Sequence, residues 1–148
     1  MPKLSDEVMN MLRRVFPAMI LSILLILVAA CSPLDSLERY RTGLLETCVQ
    51  TESYLDLAVK ADSIDDALSY AEIARHYIEE ALTIELPEDV DSNLRSAHAA
   101  LFTQIEALDS WLAGLNTDFD STLGAKHLKD LRAVRQELFL VLDDLDVQ

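Results

Sequence analysis

The chain contains two cysteines, and the residues around each predict a different chemistry for its thiol. Cys31 follows an apolar run over residues 18–30, in which only Ser22 is polar, and directly succeeds Val28-Ala29-Ala30. The small side chains before Cys31 leave its surroundings uncrowded, and an accessible sulfur can act as a nucleophile. Cys48 instead lies on an apolar face with helical spacing, where a thiol behaves as a small, inert hydrophobic group.

The sequence Val28-Ala29-Ala30-Cys31 resembles the lipobox of bacterial lipoproteins, in which an aliphatic residue and two small residues precede a cysteine. A modest positive balance from Lys3, Arg13 and Arg14, followed by the short apolar run, is typical of a signal peptide. The resemblance implies diacylglyceryl transfer to Cys31, cleavage after Ala30, and acylation of the new N-terminus in many bacteria. It divides the chain into a signal peptide (1–30), a lipidated tether (31–34) and a mature domain (35–148).

A second interpretation keeps the N-terminal segment as an uncleaved membrane helix over about Val15–Ala30, which would make the protein bitopic. The apolar run is shorter than the roughly 20 residues that a spanning helix needs, and Pro17 interrupts its start. The lipoprotein interpretation predicts a domain anchored at a membrane and facing the periplasm or cell exterior, because two or three acyl chains anchor stably. By the enterobacterial rule for this family, Ser32 after the lipid cysteine would direct the protein to the outer membrane of a Gram-negative source.

Composition predicts one folded, acidic domain. The 148 residues are 51% hydrophobic and 26% charged, which is typical of a globular chain and not of a disordered one. Acidic residues outnumber basic ones 26 to 12, and the net charge is −14. Such a chain repels phosphates, so nucleic acid is excluded as a partner.

Four segments beyond the apolar run show helical periodicity, and they cover about Asp35–Ala61, Ile64–Leu86, Val90–Leu115 and Ser121–Asp146. Apolar residues recur in each segment at three- and four-residue spacing, which places them on one face of a helix. In the first segment this face includes Leu44, Cys48, Thr51 and Leu55. In the second segment it includes Ile64, Ala67, Ala71, Ala74, Ile78 and Leu82. Asp35 with Glu38, and Ser63 with Asp66, look like capping boxes at two helix starts. Pro87 is expected to stop the second helix.

Helices of this length with short connections predict an all-α fold, an up-down-up-down antiparallel four-helix bundle after a cleaved signal peptide. This order places the lipid tether, the C-terminus and the Leu86–Asp91 turn at one end of the bundle. The opposite end is expected to carry five aspartates in its two turns, namely Asp62, Asp65, Asp66, Asp118 and Asp120. We interpret them as a solvated rim, with loose binding of a divalent ion as the alternative.

The three histidines are candidate metal ligands. His76 and His98 are expected at one level of the second and third helices, where imidazole and carboxylate side chains could bind Zn²⁺ or Cu²⁺. The helical wheel points His76 away from the core, which favours two solvated surface histidines. His127 lies on the apolar face of the fourth segment and is expected to be a histidine at the core edge, bonded to a neighbouring carbonyl.

No cofactor or metal is expected from the sequence. Glu72 and His76 are four residues apart, whereas a di-iron site needs Glu-x-x-His on two helices. A Cys-x-x-Cys-His haem motif is absent from the sequence. The segment Asn116–Asp120 begins like a calcium loop, but Ser121 and His127 occupy the positions that require glycine and glutamate, so we interpret it as a helix-capping loop.

Apolar side chains outside the main stripes are the best candidates for an interface. They are Tyr70, Ile73, Tyr77, Ile84 and Phe102. Tyr and Phe at a surface are typical of protein interfaces. The alternative is that the second helix buries a wider arc between two neighbours.

These observations predict a membrane-anchored lipoprotein with a non-catalytic helical domain that binds a protein partner in the cell envelope. The partner can be a second copy of the same chain. A ligand- or metal-binding sensor bundle is the alternative from a different class. An enzyme is not expected, because the serines and histidines show no spacing of a catalytic triad and the three glycines form no phosphate loop.

Overall fold

A computed structural model describes residues 33–145 of the chain, with side chains from Ser36 onward. The described residues form four α-helices and contain no strand; the helices are α1 (Pro33–Lys60), α2 (Ile64–Ala81), α3 (Ser92–Ala113) and α4 (Ser121–Leu145). The predicted all-α fold with four helices is therefore confirmed.

Short polar side chains start three of the helices. Ser63 has extended backbone angles before α2, and its hydroxyl accepts a hydrogen bond of 3.1 Å from the backbone N–H of Asp66. Asp91 accepts one of 2.7 Å from Leu94 before α3, and Asp120 caps the first turn of α4. Each carboxylate or hydroxyl satisfies backbone donors that have no partner within the helix. The predicted cap at Ser63 and the predicted capping loop before α4 are confirmed.

Five boundaries differ from the prediction, most of all the end of α2; the ends of α1 and α3 lie at Lys60 and Ala113, one and two residues before the predicted ends. This helix stops at Ala81, five residues before the predicted Leu86. The hydroxyl of Thr83 donates to the carbonyl of Glu80 at 2.7 Å, and a turn follows in place of further helix. The start of α3 moves from Val90 to Ser92 because Asp91 is the extended cap residue. The first helix starts at Pro33 and not at Asp35, in agreement with the preference of proline for a first helical turn.

Contacts between the helices define which ends are neighbours. Arg41 near the start of α1 pairs with Asp143 near the end of α4, and Tyr54 of α1 stacks on Tyr77 of α2. Arg75 of α2 pairs with Asp109 of α3 at 3.0 Å, Trp111 of α3 stacks on His127 of α4, and Tyr40 of α1 bonds His98 of α3. Arg41–Asp143 and Trp111–His127 join opposite ends of their helices, and Tyr40–His98 joins the first halves of α1 and α3. These contacts are consistent with the up-down-up-down order, which stays a prediction.

The core is made of the predicted stripes, with additions. The largest side chains that are under 2% exposed are Leu44, Leu55, Ile78, Leu94, Leu101, Ile105, Leu108, Leu131, Leu138 and Leu142. Cys48 is 1% exposed, as predicted. Two predicted members of the α2 stripe are wrong, since Ile64 and Leu82 are exposed. Both lie at the ends of α2, where a neighbouring helix no longer covers the side chain.

Candidate functional site

The predicted lipidation site, Cys31, and the predicted cleavage site after Ala30 lie outside the described residues. The same is true of the alternative membrane helix over Val15–Ala30. Within the described part of the chain, the helices are too polar or too short to cross a membrane.

The predicted surface stripe is divided between core and solvent. Its members are Tyr70, Ile73, Tyr77, Ile84 and Phe102. Tyr70, Ile84 and Phe102 pack half-buried against the hydrophobic core, and the Tyr77 ring stacks on Tyr54 with centroids 5.8 Å apart. Ile73 is the exposed member of this set. The burial favours a wide packed arc for the other four residues, and their role as an interface stays a prediction.

His76 and His98 have different environments. The side chain of His76 is 68% exposed, and its Nε2 lies 3.6 Å from a carboxylate oxygen of Glu80. His98 is half-buried, and the expectation that it is a solvated surface histidine is wrong. Its Nδ1 lies 2.8 Å from the hydroxyl of Tyr40, and its ring lies 4.0 Å from the Phe102 ring. The rotation of α3 directs His98 towards α1, which its spacing within α3 did not reveal.

Tyr40 and His98 form a buried polar contact between α1 and α3. Tyr40 is 3% exposed, and desolvation raises the pKa of its phenol. Desolvation also lowers the pKa of His98 below its usual range. The hydroxyl of Tyr40 and Nδ1 of His98 share this hydrogen bond, and the tautomer of the imidazole sets which of them donates.

Acidification is expected to destabilise the domain through His98. The pKa of His98 is lower in the folded state than the unfolded value of about 6.5. The unfolded state therefore binds more protons, so the stability from neutral His98 is complete above that pH and is lost as the pH falls towards the folded pKa. Desolvation lowers the pKa of His127 as well, and this residue contributes in the same direction.

The measurement is urea unfolding at pH about 7.5 and about 5.5, followed by circular dichroism. The loss of unfolding free energy between the two pH values should be smaller in His98→Gln than in the wild type, while the exposed His76→Gln should behave as the wild type. An equal loss in all three chains would show that His98 does not carry the pH dependence.

His127 lies half-buried at the core edge, as predicted, while its hydrogen bond to a neighbouring carbonyl stays a prediction. Its ring stacks on Trp111 with centroids 5.0 Å and planes 22° apart. Phe119 packs on the same indole, with centroids 5.5 Å apart. Gly124 allows this close approach, because a Cβ there would lie 3.0 Å from Phe119 and 3.2 Å from Trp111. The cluster closes the end of the bundle opposite the start of α1.

A charged cluster between α1 and α4 was not predicted. Glu52 has a side chain that is 9% exposed, and its carboxylate accepts hydrogen bonds from Arg135 at 2.5 Å and from Arg132 at 3.3 Å. Arg132 also lies 3.9 Å from Asp56. The cluster satisfies the buried carboxylate and joins two helices that are far apart in the sequence.

Cys48 lies one turn before Glu52 and is not a reactive thiol. Burial, together with the negative charge of Glu52, raises its pKa to about 12. Since the thiolate is the nucleophile and the metal ligand, this cysteine stays protonated at neutral pH. Cys48 therefore packs as a small buried hydrophobic group, as predicted.

The acidic end of the bundle uses some of its aspartates within the fold. Asp66 accepts a 2.7 Å hydrogen bond from the Ser63 hydroxyl, and Asp120 caps α4. Within residues 33–145, no group of three or more His, Cys, Asp or Glu side chains has the geometry to hold a metal ion.

An open cleft of about 280 Å³ lies between α2 and α3. Its apolar lining comes from Leu68, Ala71, Leu112, Ala113 and Leu115, and its polar lining from Glu72, Arg75 and Asn116. Arg75 is the cation of this cleft, and it is paired with Asp109 at 3.0 Å and Glu79 at 3.4 Å. The hydrogen bond to Asp109 raises the pKa of Arg75. Since two carboxylates neutralise the guanidinium, the cleft has no strong hold on an anionic ligand.

In comparisons with known proteins, the chain matches no protein-family model, no curated protein and no solved structure.

Proposed function

We propose that this chain is a bacterial lipoprotein whose four-helix domain is held at a membrane by acyl chains on Cys31 and binds a protein partner in the cell envelope without catalysis. The observation that carries the proposal is the sequence Val28-Ala29-Ala30-Cys31 at the end of a short apolar run. The position of α1 supports it, because this helix begins at Pro33, two residues after the lipid-bearing cysteine. A tether this short keeps the domain close to the membrane.

The character of the domain supports binding over catalysis. Its buried thiol has a raised pKa, its buried carboxylate is neutralised by two arginines, and its half-buried histidine is held by Tyr40. Several large apolar side chains remain on the helical surface, among them Leu45, Val49 and Leu140. Such side chains are typical of surfaces that contact another protein.

Replacing Cys31 by alanine is expected to remove the acyl chains and release the protein from membranes. The measurement is intact mass, with membrane fractionation, in the native host. The wild type should have the mass of residues 31–148 plus two or three acyl chains, because one chain binds only marginally. Cys31→Ala should lose that mass and its membrane attachment, whereas the control Cys48→Ala should keep both. A full-length, unmodified mass for the wild type would contradict the proposal and favour the bitopic interpretation.

A further inference from the structure

We propose that the outer face of α1 and α4 binds a second copy of this chain, with α1 of each copy packed against α4 of the other around a two-fold axis parallel to the helices. The orientation rests on the proposed function, because two copies anchored in one membrane must have their α1 starts on the same side. The choice of face and of occupant rests on the surface of the bundle itself.

Exposed apolar side chains come together on this face at one level. Leu45 and Val49 of α1 are 39% and 41% exposed, and Leu140 of α4 is 60% exposed. The pairs Arg41–Asp143 and Glu52–Arg135 align α1 with α4 on either side of them. This alignment brings Leu45 and Val49 to the level of Leu140, and we call the three residues the α1–α4 patch.

Charge makes this the face on which two copies can approach. The helices α1 and α4 together contain seven basic and nine acidic residues, whereas residues 64–113 contain two basic and eleven acidic ones. Contact between two faces formed by residues 64–113 would place the strongest like charges of the chain together. Contact through α1 and α4 keeps these acidic surfaces apart and in solvent, where salt screens them.

In the proposed dimer, the alignment of α1 with α4 also places opposite charges next to the apolar contact. Asp56 of α1 pairs with Lys60 of its own helix at 2.5 Å and reaches α4 at Arg132, 3.9 Å away, so Lys129, one turn earlier in α4, lies at nearly the same level. When α1 packs on α4 of a second copy at that level, Asp56 of each chain comes near Lys129 of the other. A two-fold axis repeats every such contact, so a modest patch is used twice in the dimer. A partner of different sequence on the same face is the competing occupant.

Cross-linking of the full chain tests which helices face each other. Leu45→Cys and Leu140→Cys chains with different tags are expressed together, and the membranes are treated with a short bis-maleimide. Cys48 is 1% exposed and reacts poorly, and the wild type reports any reaction at Cys31. The two tags should appear in one covalent dimer at several times the yield obtained when Ile73→Cys replaces Leu140→Cys. Ile73 is the matched control because it is 38% exposed but lies on α2.

Sedimentation equilibrium of the detergent-solubilised full chain gives an independent measurement. Leu140→Glu should shift dimer to monomer, while Ile73→Glu should not. Cross-linking no stronger than the Ile73→Cys control, or a covalent product with a foreign protein in place of the dimer, would overturn the inference. A wild-type chain that forms the dimer but carries no acyl groups would uphold the self-association surface while contradicting the anchor, so the two proposals fail separately.

Discussion

Leu55→Ala is expected to lower the free energy of unfolding by about 2–5 kcal/mol, because it removes buried methyl groups and leaves a cavity. Leu55 is fully buried near the C-terminal end of α1, where it contributes to the core shared by the four helices. A domain of this size is stable by about 5–15 kcal/mol, so the variant loses a large part of its margin. Urea unfolding followed by circular dichroism measures the loss as a lower midpoint at an unchanged slope.

Leu57→Ala is the matched control for this experiment. It makes the same chemical change two residues further along the same helix, and Leu57 is 44% exposed. Since little contact is lost there, its stability should change by only about 0.5 kcal/mol. Similar losses in the two variants would contradict the orientation of α1 described above.

Glu52→Ala is expected to lower the free energy of unfolding by about 2–3 kcal/mol, which is the second large effect. The substitution leaves Arg135, whose side chain is 25% exposed, without its closest acceptor, and it removes one of the acceptors of Arg132. A fully buried pair would lose about 3–5 kcal/mol when one partner is removed. The smaller figure follows because both guanidinium groups can turn towards water.

Two further variants separate charge from packing in this cluster. Glu46→Ala changes an exposed glutamate on the same helix and should stay within about 0.5 kcal/mol of the wild type. The double variant Glu52→Leu with Arg135→Leu should recover most of the stability lost in Glu52→Ala, because apolar side chains replace a buried ion pair without leaving an unpaired charge. If Glu52→Ala unfolds at the same urea concentration as Glu46→Ala, the cluster does not hold α1 to α4.

The helix ends show which structural features can be predicted from local sequence. Ser63 and Asp66 are three residues apart, and the hydrogen bond that starts α2 needs nothing beyond that spacing. The prediction that Pro87 ends α2, after Leu86, is wrong. The helix stops earlier, at Ala81, because the Thr83 hydroxyl binds the Glu80 carbonyl, a competition that the proline signal does not describe.

The polar contacts between helices show which features cannot be predicted from local sequence. Glu52 falls beside the predicted apolar stripe of α1 and could equally have been a solvated residue. Its partners lie 80 and 83 positions later, on α4, and only the relative rotation of the two helices brings them together. His98 was missed for the same reason, since its environment is set by Tyr40 of α1. In the sequence, the arginine pair at 132 and 135, close to the apolar stripe of α4, was the one feature that could have indicated a buried acidic partner.

Composition and periodicity alone therefore determined an acidic, all-α domain of four helices and most of its core, because caps and apolar spacing act over three or four residues. Tertiary structure decided which polar side chains are buried, which members of the surface stripe pack inward, and which apolar residues stay exposed. Those outcomes depend on how each helix is rotated against its neighbours. That rotation is set by the packing of all four helices together, and no single segment encodes it.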